Sequence, residues 1–266
     1  MFFIDALSST LSSLLGDSNE REPSEKEIMT IKSLRVKIKN TDDKEVIKLL
    51  NIMNINTIEK YREIGFQSDN PASDTRAAGV LGIEQLLYFF KNRKNESHNI
   101  IQKRKNRDNG NNYPVAAIGM NITHFLATEF KIVDQFGRYP EINKINTNYY
   151  QFLDNTTTTD NNTTNNDSCE CNKYHELYCE SFLLLDYLFE KKGIEDKEDE
   201  VTEDNTNTTN TTNNSDNSDS NTNNCNGKYM DMPAVLATFK TTFQKLVNQS
   251  GGSLEEFKRL RTEITA

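Results

Sequence analysis

The chain has no tryptophan, only five prolines and four cysteines in 266 residues, and no long apolar run. A membrane span needs about 18 or more consecutive apolar residues, so the sequence predicts no transmembrane helix. Four cysteines are typical of a reducing compartment rather than of a disulfide framework, which favours a cytoplasmic protein. Cations are also scarce: 31 Lys and Arg against 40 Asp and Glu give a net charge of −9. This balance excludes a protein that binds nucleic acid mainly through its phosphates.

Apolar residues make up 35% of the chain, below the usual 45–50% or so of globular proteins. The deficit lies mainly in two segments of mostly Asn and Thr, residues 155–172 and 201–226. Such segments bury too little surface to offset the entropy of an ordered chain. The sequence therefore predicts one domain, residues 24–266, that carries these two segments as disordered insertions.

Residues 1–23 form a separate N-terminal segment. Phe3, Leu7, Leu11 and Leu14 recur at helical spacing within it, which predicts an amphipathic helix. We expect this helix to pack on the core, with contact to a membrane surface as the alternative.

Helical patterns dominate the remainder. Ser24 with Glu27, and Ser253 with Glu256, are capping boxes that predict helix starts. Further predicted helices cover Asp43–Met53, Thr57 to a stop at Gly65, Gly79–Phe90, Pro114–Phe130, Tyr174–Lys192 with a stop at Gly193, and Asp231–Leu246. No strand-like alternation of useful length occurs. The sequence therefore predicts an all-α domain of about seven to nine helices.

The segment from Gly65 to Gly82, GFQSDNPASDTRAAGVLG, differs from these helices in its Gly, Pro, Asp and Arg content. Asp74 or Ser73 can cap the helix that follows, which places Arg76 at or near the first turn. A cation there is unfavourable by a few tenths to about 1 kcal/mol, so this arginine invites an explanation. One explanation is structural: Arg76 pairs with Asp69 or Asp74 and holds the loop.

The same segment resembles the ELMO domain family, whose pattern is roughly W-x-x-x-G-F-Q-G-x-D-P-x-T-D-F-R-G-x-G-x-L-G. The matching residues are Tyr61, Gly65, Phe66, Gln67, Pro71, Asp74, Arg76, Gly79, Leu81 and Gly82. Three later blocks, Tyr113–Leu126, Lys173–Phe189 and Lys228–Leu236, resemble further family motifs in the same order. The resemblance covers most of residues 25–247.

The resemblance implies a function. Long members of the family partner Dock-type exchange factors for Rac and lack the arginine, whereas short members keep it and activate Arf and Arf-like GTPases. This chain is short and keeps Arg76, so it resembles the second branch. Arg76 would then be a catalytic arginine finger, supported by the loop residues Gly65, Phe66, Gln67, Pro71, Asp74 and Gly79. The protein would need no cofactor of its own, because GTP and Mg²⁺ arrive with the GTPase.

Four departures from the family pattern lie on the Arg76 loop. Thr75 and Ala77 replace the Phe and Gly beside the arginine, and Ser68 and Asn70 replace the Gly and Asp of G-F-Q-G-x-D-P. The alternative function is therefore a non-catalytic adaptor that binds a small GTPase or a Dock-type Rac exchange factor, as in phagocytosis and actin regulation.

Cys169, Cys171, His175 and Cys179 have a spacing that could bind zinc. Two of these cysteines end an Asn/Thr-rich segment, and His175 lies in a block of the resembled family that is not a metal site. We therefore expect no metal site and read the cysteines as free thiols.

Residues Lys91–Arg107 carry seven cations and one acid, Glu96. We expect a solvated connection between two helices. The alternative is a patch that contacts anionic lipid, because Arf-type GTPases work at membrane surfaces.

Overall fold

The computed structural model describes residues 20–105, 113–153, 172–203 and 232–266. This part of the chain forms ten α-helices, one 3₁₀ helix and two strands of two residues each. The helices are α1 (Glu25–Lys39), α2 (Asp43–Ile52), α3 (Ile58–Glu63), the 3₁₀ helix (Pro71–Thr75), α4 (Gly79–Asn92), α5 (Lys94–Lys105), α6 (Val115–Glu129), α7 (Thr147–Tyr150), α8 (Asn172–Glu203), α9 (Met232–Ser250) and α10 (Leu254–Thr265). The strands are β1 (Glu20–Arg21) and β2 (Ile145–Asn146). The prediction of an all-α fold is confirmed.

Local signals set several helix limits. The Ser24 hydroxyl accepts a hydrogen bond from the Glu27 N–H, and the Glu27 carboxylate accepts one from the Ser24 N–H, so the predicted capping box is present. The Thr57 hydroxyl caps α3 by accepting a hydrogen bond from the Lys60 N–H. Gly65 follows the end of α3 at a φ of +86°, a conformation that favours glycine.

Helix α4 lies at the centre of the bundle, because it packs against α1, α2, α5, α6 and α8. It approaches α6 closely at Gly82, where an added Cβ would lie 2.5 Å from the Met120 sulfur. The aromatic side chains that the sequence places on one face of α8 are all buried: Tyr174, Tyr178, Phe182 and Phe189. The two short strands pair antiparallel, Glu20 with Asn146 and Arg21 with Ile145.

The structure corrects three details of the prediction. Helix α5 lies where a solvated connection was expected, and the short α7 was not predicted. Helix α8 continues through Gly193 to Glu203, because a single glycine costs about 1 kcal/mol in a helix and no proline follows to break it. Asn172 and residues 201–203 are therefore helical, which moves the limits of both predicted insertions.

The remainder of the two insertions and the N-terminal segment up to residue 19 lie outside the described residues. In the described ranges, no helix combines the length and the apolar character that a membrane span requires.

Candidate functional site

The segment from Gly65 to Gly79, which we call the arginine loop, begins against the first turn of α6. An added Cβ on Gly65 would lie 2.4 Å from the Val115 nitrogen, so only glycine allows this approach. The Ile64 carbonyl accepts a hydrogen bond of 2.8 Å from the Ala116 N–H. These contacts fix the start of the loop and satisfy an N–H that a helix start otherwise leaves without a partner.

Apolar anchors hold the first half of the loop. Phe66 is buried and meets the Tyr61 ring edge-on, at 6.1 Å between centroids. Pro71 and Ala72 are also buried at the start of the 3₁₀ helix. Asn70 caps this helix by accepting a hydrogen bond of 3.1 Å from the Ala72 N–H.

Asp74 was expected to cap α4, but it closes the loop instead. One carboxylate oxygen of Asp74 accepts a hydrogen bond of 2.6 Å from the Gln67 N–H. Ser73 does not cap α4 either, because its hydroxyl bonds to Ser68 and to the Asn70 carbonyl. Helix α4 has no side-chain cap. The 3₁₀ helix and its Asn70 cap were not predicted. The sequence does contain their signal, because Asn directly before a first-turn Pro is typical of a helix start.

The far end of the loop rests on the C-terminal end of α1. Gly79 has a φ of +58°, and an added Cβ would lie 2.2 Å from the Ile38 carbonyl oxygen. The next N–H, of Val80, donates a hydrogen bond of 2.7 Å to the Asn40 carbonyl. Both ends of the arginine loop are therefore fixed by backbone contacts to α6 and α1.

Arg76 is exposed, yet the backbone on both sides of it is anchored. Thr75 is fully buried and its hydroxyl donates a hydrogen bond of 2.8 Å to the Ala72 carbonyl. Ala78 is also fully buried, and its N–H donates to the Thr75 carbonyl at 3.0 Å. Thr75, which stands where the resembled pattern has phenylalanine, is therefore buried without an unpaired hydroxyl, and Arg76 projects from a fixed backbone.

The structural explanation for Arg76 is wrong, because both acids that could pair with it have other partners. Asp69 forms an ion pair with Arg62 at 2.8 Å, and Asp74 binds the Gln67 N–H. Arg76 makes no hydrogen bond or ion pair with any other residue that the structure describes. Within the described ranges, its guanidinium is therefore left without a partner.

A surface pocket of about 380 Å³ adjoins the start of the loop. Its lining includes Gly65, Phe66, Gln67, Arg62, Arg104 and Lys105.

The basic run of α5 is largely neutralised within the protein. Arg104 is buried and pairs with Asp186 and Glu190 of α8. Its guanidinium carbon lies 4.4 Å from the centre of the Tyr113 ring and 4.6 Å from that of Phe189. Arg104 is therefore buried and is not part of a surface patch that could contact anionic lipid. Hydropathy alone could not predict this burial, because it depends on acidic partners on α8.

The candidate zinc residues are only partly described. His175 and Cys179 are buried on α8, whereas Cys169 and Cys171 lie outside the described residues. Burial, together with Lys37, lowers the pKa of His175 to about 4, and burial raises the pKa of the Cys179 thiol. The described part of the chain contains no cluster of three or more His, Cys, Asp or Glu side chains suited to a metal.

Comparison with known proteins assigns most of the chain to one family. The model of the ELMO/CED-12 family matches residues 10–204. ELMO domain-containing protein 2 of Bos taurus is 25% identical over 183 residues, 65% of this chain and 53% of that protein. The human protein of the same name is 29% identical over 133 residues, 49% and 45% of the two chains. ELMO domain-containing protein B of Dictyostelium discoideum is 35% identical over 65 residues, 24% and 22% of the two chains.

These matches cover about half the length of the mammalian relatives or less. No solved structure matches the chain.

Proposed function

The chain belongs to the ELMO/CED-12 family, and from this premise we propose that it activates GTP hydrolysis by a small GTPase of the Arf family. Arg76 is the residue that enters the GTPase active site in trans. One observation carries the proposal: Arg76 is exposed and has no partner in the described residues, while the acids nearest in sequence are bound elsewhere.

The chemistry of hydrolysis explains why an arginine is needed. Negative charge spreads over the γ-phosphoryl oxygens and the bridging oxygen in the transition state. A guanidinium supplied by a second protein stabilises this charge and raises the rate by about 10³–10⁵. Its planar fork presents parallel N–H donors in a fixed geometry, whereas the ammonium group of lysine is a compact charge without such a fork. GTP and Mg²⁺ belong to the GTPase in this proposal, so the chain needs neither by itself.

The fixed backbone around Arg76 supports the same role. A group that must reach a transition state loses rate when it is misplaced by about 1 Å. Thr75 and Ala78 hold the backbone on both sides, and Asp74 closes the loop on Gln67. Most of the ordering of the loop is therefore complete before the GTPase binds, so little binding energy is spent on it.

The test is single-turnover GTP hydrolysis by a panel of Arf and Arf-like GTPases, with the wild-type chain and with Arg76→Ala and Arg76→Lys. We expect acceleration of about a hundredfold or more with at least one GTPase, and loss of most of it in both variants. Arg259→Ala is the matched control, because Arg259 is an exposed arginine on α10, far along the chain from the loop. It should leave the rate unchanged.

Two results would overturn the proposal. Acceleration that survives in Arg76→Ala or Arg76→Lys would remove Arg76 from the active site. Binding of a GTPase without acceleration by the wild-type chain would make the protein an adaptor.

A further inference from the structure

Phe136 is the one exposed Phe or Tyr side chain among the described residues, and 66% of its surface is accessible. It lies in the connection between α6 and β2. Exposed apolar residues are common on proteins, but a whole aromatic ring in water is costly and is frequent at binding surfaces. The surroundings of Phe136 therefore need explanation.

A closed turn holds Phe136 in place, and Asp134 organises it. The Asp134 N–H donates to the Arg138 carbonyl at 2.8 Å. One carboxylate oxygen of Asp134 accepts hydrogen bonds from the N–H groups of Phe136 and Arg138, at 2.8 and 2.9 Å. Desolvation acts to raise the pKa of Asp134, but these bonds and the Arg138 guanidinium outweigh it and lower the pKa below the ordinary value. Gly137 supplies the positive φ, +73°, that the turn requires.

Arg138 supports the ring directly. Its Nε lies 2.6 Å from the second Asp134 oxygen, and its guanidinium carbon lies 4.8 Å from the centre of the Phe136 ring. The ring therefore has a cation against one face and remains largely exposed. An aromatic anchor that is ordered before binding contributes more to affinity, because its entropy cost is already met.

The Phe136 turn and the arginine loop meet the same end of α1. Gly79, three residues after Arg76, packs on the Ile38 carbonyl. Tyr139, three residues after Phe136, has the Lys39 ammonium 4.4 Å from the centre of its ring. Three residues span about 10 Å at most. A partner of ordinary size covers about 800 Å² and 20–30 residues on each side, so one partner can contact both loops.

We propose that the turn Asp134–Arg138 is a second contact site for the same GTPase, with Phe136 as its apolar anchor. This inference rests on the proposed function and names where the GTPase docks beside the arginine loop. The matching surface on the GTPase is an apolar depression that receives the Phe136 ring. Arg76 acts on the reacting phosphate, whereas Phe136 acts on affinity alone.

The test separates these two roles. Single-turnover hydrolysis is measured at rising concentrations of the chain, without lipid, for the wild type, Phe136→Ala and Arg76→Ala. Phe136→Ala should raise the concentration for half-maximal rate about tenfold or more and leave the maximal rate within about twofold. Arg76→Ala should lower the maximal rate instead. Met29→Ala is the matched control, since Met29 is 61% exposed at the other end of α1 and should change neither value.

Direct binding to the GTPase loaded with a non-hydrolysable GTP analogue keeps the inference separate from catalysis. Weaker binding of Phe136→Ala, with no acceleration by the wild type, would support the docking site and overturn the catalytic role. Acceleration that depends on Arg76, with wild-type affinity in Phe136→Ala, would overturn the docking site alone. Failure of the wild-type chain to bind any GTPase would overturn both.

Two further measurements test the anchor itself. Asp134→Ala keeps the Phe136 ring but removes the acceptor that orders it, so binding should weaken about threefold or more, whereas Asp134→Asn keeps an acceptor and should weaken it less. Equal affinity of the wild type, Asp134→Ala and Asp134→Asn for the GTPase would overturn the role of the ordered turn. Loss of binding to anionic vesicles in Phe136→Ala, with unchanged GTPase binding, would assign the ring to a membrane and overturn the inference.

Discussion

The Asp74 carboxylate accepts a hydrogen bond of 2.6 Å from the Gln67 N–H, and this contact links the two halves of the arginine loop. Arg76 follows Asp74 by two residues, so the direction in which its side chain leaves the protein depends on this closure. Asp74 therefore closes the loop, as expected of a supporting loop residue, and neither pairs with Arg76 nor caps α4.

Asp74→Ala should lower the maximal rate of GTPase activation about tenfold, because the loop loses its closing bond and Arg76 is less well placed. Asp74→Asn keeps a side-chain oxygen and should retain most of the rate. The Gln67 N–H is at an exposed residue and can bond to water, so the free energy of unfolding should fall by only about 1 kcal/mol in Asp74→Ala. Equal rates in both variants, measured by single-turnover hydrolysis, would contradict the positioning role.

The location of the candidate site could be predicted from the sequence, but not the contacts that define it. Gly65, Pro71 and Gly79 each predict a break in helical structure, so the sequence locates a loop between two helices here. The partners of the two acids could not be predicted in this way. Asp69 pairs with Arg62 of α3, and Asp74 accepts a hydrogen bond from a backbone N–H seven residues earlier. Both contacts depend on the path of the folded loop, which no local pattern specifies.

Helix α5 shows the same limit for the fold. Its sequence is so polar that it was predicted as a solvated connection, and only Ser97, Ile100 and Arg104 are buried. The helix is held through Arg104, whose acidic partner Asp186 lies 82 residues further along the chain. Helices with apolar stripes or capping boxes, such as α1 and α4, were predicted correctly because their signals are local.

Gly79→Ala should lower the free energy of unfolding by about 3 kcal/mol or more. The new methyl group would lie 2.2 Å from the Ile38 carbonyl oxygen, and alanine is strained at the positive φ of this position. Gly251→Ala is the control. Gly251 has a φ of +56° but no atom within 4 Å of the added Cβ, so only the strain remains, about 1 kcal/mol. Urea unfolding compares the two, and equal losses would show that α1 moves aside without cost.

Asp186→Asn should lower the free energy of unfolding by about 3 kcal/mol, because Arg104 remains buried without one of its acidic partners. The amide keeps an acceptor for the Tyr113 hydroxyl, which donates to Asp186 at 2.7 Å. Asp69→Asn breaks the exposed pair with Arg62 and should cost less than about 1 kcal/mol. A loss in Asp186→Asn no larger than in Asp69→Asn would show that this network adds little to the packing of α5.

His175 should make the stability of the protein depend on pH between 6.5 and 4. An unfolded histidine binds a proton near pH 6.5, whereas burial lowers the pKa of His175 to about 4 in the folded chain. The unfolded state therefore binds more protons within this window, and the free energy of unfolding decreases as pH falls through it. The contribution of His175 between pH 7 and pH 5, above the range where most carboxylates titrate, should be a loss on the order of 2 kcal/mol.

The control for His175 keeps its shape and removes its titration. The His175 ring stacks on Tyr88 at 5.0 Å between centroids, and His175→Phe preserves this contact. The unfolding free energy of His175→Phe, measured in urea at pH 7 and pH 5, should change by about 2 kcal/mol less than that of the wild type. His98→Gln, at an exposed histidine on α5, should retain the wild-type dependence. If the wild type and His175→Phe lost the same stability over this interval, the folded protein would accept a proton on His175 as readily as the unfolded chain does.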